Sequence, residues 1–402
     1  MARPTRSSNT TRSFVDFATK LTAKWRLGTT PTKQQSPAQR SEWHRSMEAI
    51  LSQLISYPTV TSNTEAIHDA FDYIQTYLRQ RGMHTKRLEH NGTESLIATT
   101  RQTKTPALML AAHLDVVSAP EEMFSIRESD GKFYGRGVLD MKCSIAAFMQ
   151  VIDTISDDLA AYDVGVMITS DEEVGGDAGV GFLVDKGYVP SICILPDGGD
   201  NWQVETFAKG YLFLSLTANG QPAHASRPWD GKNAINMLLN AVQDITGLFP
   251  VLAPDTDTIN IGKITGGNTI NQVAGQAEAL IDIRVMSEKR KATLLDRIEK
   301  ICAKHGVQLT LVSQGVTVQL DVTEPVVASF VRIASDITGV NIVGSSTLGT
   351  NDARFMVAKG VPCISYYPVG GGHHSLEEWL DKKAFHQSYE ILLRYVETHA
   401  KT

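Results

Sequence analysis

Residues 107–117 read ALMLAAHLDVV. An apolar run this continuous is what a strand covered on both faces requires, and such strands belong to parallel sheets flanked by helices. Its polar end, His113-Leu114-Asp115, spaces two side chains by two residues, so both point to one face if the strand runs through them. The neighbouring text has the same character. LIATT (96–100), VGVMITS (164–170) and ICIL (192–195) read as further buried strands. Between and before them lie segments with helical spacing of apolar residues: 43–56, 64–82 (closed by Gly82) and 144–156. Strands alternating with helices predict an α/β layer architecture with a mainly parallel sheet.

A different pattern begins near Lys209. GYLFLSLTANG (210–220) alternates like a half-exposed strand, and a helix is predicted over 233–245. Strands follow near 258–265 and 276–286, then a helix near 287–305 and a strand near 307–316. This β-α-β-β-α-β order predicts a ferredoxin-like α+β sandwich. The α/β pattern resumes at 324–338 and runs to the C-terminus. The expected organisation is one α/β domain (43–207 and 319–402) interrupted by an inserted domain (208–318), preceded by an extension (1–42).

Bulk composition is that of an ordinary globular chain. Of 402 residues, 42% are hydrophobic and 20% charged, which allows two or three domains with sizeable cores. The net charge of −6 and the lack of a basic tract in the body speak against nucleic-acid binding. No stretch reaches the ~18 apolar residues of a membrane span. Cys143, Cys193, Cys302 and Cys363 form no CxxC pair, so neither a zinc ribbon nor a disulfide framework is expected, and a reducing, cytoplasmic setting fits. Residues 1–41 carry eight Lys/Arg against the single acid Asp16. That composition suits a basic tail or an organellar import segment.

Five short motifs carry candidate chemistry. His113-Leu114-Asp115 offers a neutral imidazole with a carboxylate that can fix its tautomer; a structural histidine is the alternative. Asp140 ends GRGVLD (135–140), poised either to bridge cations or to cap the following helix. Asp171-Glu172-Glu173 follows a very apolar strand, where adjacent acids repel unless a cation relieves them; a solvated loop would read the same. Asp197 sits in LPDGG (195–199), also a plain turn sequence. His373-His374 follow Gly370-Gly371-Gly372 and precede Glu377-Glu378-Trp379, where a flexible loop is the alternative. Together they supply His, Asp and Glu donors without thiolates, a set suited to two hard or borderline cations with room for water.

These motifs, in this order, resemble the co-catalytic zinc amidohydrolases and exopeptidases of metallopeptidase family twenty, which include aminoacylase, acetylornithine deacetylase, succinyl-diaminopimelate desuccinylase and glutamate carboxypeptidase. The resemblance runs from about Trp43 to the C-terminus through HLD, GRGVLDMK, SDEEVGG, LPDGG, GQPAHASRPWDGKNAI, GGNTINQV, IDIR, GTNDARF and GGGHHSLEEW. It implies a dimetal catalytic domain with an inserted lid and dimerisation domain. It further implies that His113 and Asp197 hold one ion, Glu173 and His374 the other, and Asp140 both. His374 is preferred over His373 because Glu378-Trp379 follows it by four positions.

The resemblance makes Glu172 the general base and acid, Asp115 the partner that orients His113, and His224 an oxyanion donor, often serving the partner subunit. Asn271, Arg284 and Thr350 match substrate-contacting positions. Asp197 departs mildly from relatives that carry Glu-Pro there. The implied cofactors are two divalent ions, Zn²⁺ first and Co²⁺ or Mn²⁺ next. The implied reaction is cleavage of an N-acyl amino acid, of deacetylase or desuccinylase type, in a homodimer. A dipeptidase or carboxypeptidase is the runner-up, and a non-catalytic binding protein on this scaffold is the reading from another class. A dinucleotide-binding fold is disfavoured because GRGVLD lacks the third glycine of GxGxxG.

Overall fold

The polar C-terminal ends of the parallel strands 108–113, 164–169 and 192–194 open to one side of a single sheet. The computed structural model of the chain describes residues 37–402, so the basic extension lies outside the described residues apart from the start of the helix Pro37–Ile55. Six strands pair in the order 84–90, 93–99, 164–169, 108–113, 192–194 and 363–364. The last four run parallel, and the first two add an antiparallel edge. Every residue of Leu108–His113 and Val164–Thr169 is buried, as uninterrupted apolar runs demand of central parallel strands.

The strand quoted first is shorter than the sequence suggested. It ends at His113, because the chain then leaves the sheet. The Leu114 amide still donates to Thr169 O of the neighbouring strand at 2.8 Å, but the Val116 amide turns to Thr59 O at 3.0 Å. Asp115 therefore follows the strand rather than alternating along it.

Helices Thr64–Gln80, Lys142–Ile155, Pro325–Thr338 and Lys382–His399 pack their apolar faces into the main core. Asn63 caps the first of these by accepting the Ala66 amide at 3.3 Å. A smaller antiparallel sheet joins 370–371, 379–381, 132–134 and 127–129 in that order. It was not foreseen, because strands of two or three residues show no readable period.

The segment from Gly210 to Gly315 builds a four-stranded antiparallel sheet in the order 258–266, 276–285, 210–219, 307–315. Numbered along the chain this is 2-3-1-4, the arrangement the β-α-β-β-α-β reading requires. Helices Ala234–Thr246 and Glu288–His305 supply a separate core through Leu238, Ala241, Ile245, Leu294 and Ile298 against Leu212, Leu214, Leu216, Ile281 and Ile283. Outer strand 258–266 is largely exposed, with a bulge between Ile261 and Lys263. All four cysteines are buried and unpaired. Among the described residues no helix is long and apolar enough to cross a membrane.

The C-terminal helix carries a testable group. His399 is buried, stacks on Tyr395 with ring centroids 4.3 Å apart, and lies 2.8 Å from Ser329 Oγ. Burial, and secondarily the Arg332 charge, pushes its pKa down from 6.5 to about 4. As pH falls the unfolded chain takes up this proton first, so stability present above 6.5 is lost down to about pH 4. Wild type should therefore lose about 3 kcal/mol more than His399→Gln across that window, measured by urea unfolding at stepped pH. Parallel pH profiles for the two proteins would refute this.

Candidate metal centre

Three strand ends of the main sheet converge first. His113 ends its strand, Glu172 and Glu173 follow 164–169, and Asp197 follows 192–194. Donor atoms of His113, Glu172 and Asp197 lie within 4.8 Å of one another. The small sheet contributes the rest: Asp140 follows 132–134, and His374 lies between 370–371 and 379–381. Asp140, Glu173 and His374 form a second group with the same spacing. Asp140 reaches both, its Oδ1 lying 3.1 Å from His113 Nε2 and its Oδ2 3.2 Å from His374 Nε2. His374 Nε2 is also 3.2 Å from Glu173 Oε2. His373 instead stacks on Tyr367, with centroids 5.8 Å apart.

The tautomer of His113 follows from its partner. Its Nδ1 lies 2.9 Å from the backbone carbonyl of Asp115, which can only accept, so Nδ1 carries a proton and Nε2 is the ring nitrogen turned to the cluster. The Asp115 carboxylate is farther from that ring nitrogen, at 3.6 Å. It accepts instead from Thr61 Oγ1 at 3.0 Å and from the amides of Glu172 and Glu173 at 3.3 and 3.2 Å. Asp115 thus orients the histidine through its backbone and holds the acidic loop through its side chain.

The three adjacent acids divide into two kinds. Asp171 turns inward, accepts the Ala178 and Gly179 amides at 2.9 and 2.8 Å, and is pushed by burial to about 6. Glu172 and Glu173 face the two groups. A Cβ on Gly176 would lie 1.9 Å from Asp352 Oδ1, and φ there is +67°, so only glycine fits this turn. Arg354 closes the loop by donating to Gly175 O.

Charge is crowded. Burial, reinforced by Asp197, raises Glu172 well above the usual carboxylate range. Burial raises Asp197 to about 6, with His113 opposing and Asp140 adding to the rise. Burial would also raise Asp140, but hydrogen bonds from His113 and His374 hold it below its ordinary value. Hydrogen bonds to Asp140 and Glu173 lift His374 to about 10. Tyr367 Oη donates to Asp140 Oδ1 at 3.2 Å and to Asp197 Oδ1. The other oxygen of Asp197, Oδ2, is buried without a hydrogen-bond partner among the described residues. Four carboxylates, two imidazoles, no thiolate and an orphaned buried oxygen are what a pair of hard or borderline cations fits.

Glu378 stands behind the cluster, fully buried. Its carboxylate accepts the amides of Gly137, Leu139 and Asp140 at 2.9, 2.9 and 3.1 Å, and Arg136 Nη1 at 2.6 Å. Arg136 Nη2 then donates to Ser375 O at 2.9 Å. Sequence reading used Glu378 only to choose between histidines. It also missed Tyr367, Arg136, and Asn351, whose Nδ2 donates to Asp197 O. The GTNDARF motif was a signal for Asn351 and Arg354, but Thr350 was singled out there; its Oγ1 is buried without a partner among the described residues.

The other expected substrate residues lie on the second sheet's segment. His224 and Asn271 are both exposed on paired loops, with the Ala225 amide donating to Asn271 O at 3.0 Å. His224 Nδ1 is 2.8 Å from Ser226 Oγ. Among the described residues no hydrogen bond or ion pair joins His224 or Asn271 to the cluster. Arg284 is bidentate with Asp282 at 2.8 and 3.0 Å and flanks Tyr211, as Arg354 does from the main body.

Fold and cluster together define a metal-dependent hydrolase of amide bonds. The pattern described as Peptidase family M20/M25/M40 matches residues 109–398, and the chain belongs to that family. Succinyl-diaminopimelate desuccinylase of Caulobacter vibrioides is 28% identical over 377 residues, covering 85% of this chain and 93% of that protein. A probable succinyl-diaminopimelate desuccinylase of Staphylococcus epidermidis is 24% identical over 373 residues, covering 81% and 92%. The crystal structure of a tripeptidase from Staphylococcus aureus superposes with a TM-score of 0.71 at 20% identity, over 88% of this chain and 98% of that one, a likeness of fold.

Glu378→Ala should cost about 3–5 kcal/mol in denaturant unfolding, because it strands a buried guanidinium and three amides. Glu378→Gln, which keeps an acceptor, should cost less. An alanine variant within about 1 kcal/mol of wild type would show that the clamp is dispensable.

Proposed function

We propose that the protein deacylates N-acyl amino acids, in the manner of a deacetylase or desuccinylase, with two ions held by His113 and Asp197, by Glu173 and His374, and by Asp140 between them. The observation that carries this is the reach of Asp140 to both imidazoles. Zn²⁺ is the favoured ion, and Co²⁺ or Mn²⁺ also suits this donor set. Bound divalent ions supply Lewis acidity and lower the pKa of a bound water towards ~7.

The chain's own groups do the rest. Glu172 is raised above the usual carboxylate range, which suits a base that takes a proton from the attacking water and returns it to the leaving amine. Asp115 and Arg354 fix the loop on which it stands. Segment 208–318 is assigned as an inserted lid that mediates a homodimer, between catalytic portions 43–207 and 319–402. His224 would donate to the developing oxyanion, Asn271 and Thr350 would position the substrate, and Arg284 would exchange Asp282 for the substrate's carboxylate. Exposure of His224 and Asn271 on one paired-loop surface supports service to a second copy. The four free thiols support a cytoplasmic setting. A dipeptidase is the second reading, favoured by the likeness of fold to a tripeptidase.

Metal-stripped protein should be inactive towards N-acetyl and N-succinyl amino acids and dipeptides, and Zn²⁺, Co²⁺ or Mn²⁺ should restore turnover. Glu172→Ala should lose about 10²–10⁴ in kcat while still binding metal. Full activity of Glu172→Ala would overturn its assignment as base, and dipeptides outrunning every acyl amino acid would favour the second reading. His224→Ala should lose about 10²–10³. Mixing it with inactive Glu172→Ala should restore part of the activity if the donor acts across the dimer; no restoration would remove that role.

A further inference from the structure

Strand 363–364 runs parallel to 192–194, with Cys363 opposite Cys193 and Ile364 opposite Ile194. Both segments leave the sheet at the same end, and the Leu195 amide still donates to Ile364 O at 3.0 Å. Three residues beyond the last registered pair stand Asp197 on one segment and Tyr367 on the other. The phenol meets the carboxylate there, Tyr367 Oη donating to Asp197 Oδ1. Tyr367 is itself held on two sides. Its carbonyl accepts the Trp202 amide at 2.7 Å, and its ring stacks on His373 with centroids 5.8 Å apart.

The two aspartates that this hydroxyl touches are supported unequally. Asp140 Oδ1 lies 3.1 Å from His113 Nε2, its Oδ2 lies 3.2 Å from His374 Nε2, and its amide is held by Glu378. Asp197 has no such set. Among the described residues Tyr367 is the one hydrogen-bond donor to its carboxylate, and Oδ2 is buried with none. A carboxylate with a single anchor keeps its orientation only while that anchor is present. With Oδ1 engaged by the phenol, the plane of the group is set, and Oδ2 is left for an ion beside His113 and Glu172. Outer partners of this kind orient ligating carboxylates and tune metal affinity. A phenol has one hydrogen, so the contact to Asp140 Oδ1, at 3.2 Å, is the longer and weaker of the two. We propose that Tyr367 is a positioning residue that acts through Asp197 and sets the affinity of the ion held by His113 and Asp197, with little effect on the ion held by Glu173 and His374. The inference rests on the two-ion reading of the centre and goes beyond it by making one hydroxyl govern one of the two ions.

The test titrates the zinc-loaded full chain with a zinc chelator and reads the ions released per chain. Tyr367→Phe keeps the ring that stacks on His373 and removes only the hydroxyl. One of its two ions should leave at about 10–100-fold lower chelator concentration than in wild type. The other should leave as before, and its retention reports that the fold is intact. Asp197→Ala should loosen the same ion, and adding Tyr367→Phe to it should change nothing further, because the hydroxyl has lost the group through which it acts. The turnover deficit of Tyr367→Phe should shrink as added Zn²⁺ fills the weakened site. Release identical to wild type, equal weakening of both ions, or additive effects in the double variant would overturn the inference. So would a deficit that persists with both ions bound, since the hydroxyl would then act on the reacting atoms. Selective loss of one ion in Tyr367→Phe, in a protein that hydrolyses no amide, would sink the deacylase reading and leave this inference standing. A wild type that holds fewer than two ions would overturn both.

Discussion

The centre depends on a carboxylate outside both donor groups. Glu378 gathers the amides of Gly137, Leu139 and Asp140 and the guanidinium of Arg136, all inside the protein. Burying a charge is costly unless its partners are complete, and here four donors meet it. The consequence is geometric. Asp140 and His374 come from the small sheet, whereas His113, Glu172, Glu173 and Asp197 come from the ends of the main sheet. Glu378 and Arg136 join the Asp140 loop to the His374 loop, so the small sheet presents both side chains as one unit. Lys142 adds an anchor by donating to Leu54 O and Tyr57 O at 3.1 and 2.8 Å.

The portion of this arrangement legible in the sequence is the portion that rests on periodicity. Uninterrupted apolar runs announced the parallel strands, and the polar residues ending them had to lie along one side of the sheet. His113, the 171–173 acids and Asp197 could be found that way. Alternation in 210–220 and the helices after it gave the second sheet its order. What lay beyond reach was set by contacts between distant short pieces. The small sheet pairs 132–134 with 379–381, and neither piece is long enough to show a pattern. His374 sits at φ +62°, a left-handed conformation that few residues other than glycine adopt and that the surrounding sequence does not announce. Tyr367 follows a two-residue strand and donates to two aspartates far away in sequence. The Asp115 carboxylate was expected to meet the histidine ring, but its backbone carbonyl lies there and its carboxylate serves Thr61 and the acidic loop.

That loop shows how the fold sustains a concentration of negative charge. Three consecutive acids would spread apart in water. Here Asp171 is spent on the amides of its own loop, and Asp115 receives those of Glu172 and Glu173. Arg354 takes Gly175 O, and Gly176 lets Asp352 approach where a side chain would block it. The backbone is therefore held by groups that lie outside both donor sets. Glu172 and Glu173 keep their carboxylates uncommitted to the scaffold, facing different donor groups although adjacent in the chain. Adjacent residues on a tight turn diverge in direction, and this divergence sends one carboxylate to the group of His113 and Asp197 and its neighbour to the group of Asp140 and His374. A looser loop would relax the repulsion by moving both acids outward. The hydrogen bonds behind it hold two identical side chains in two different surroundings.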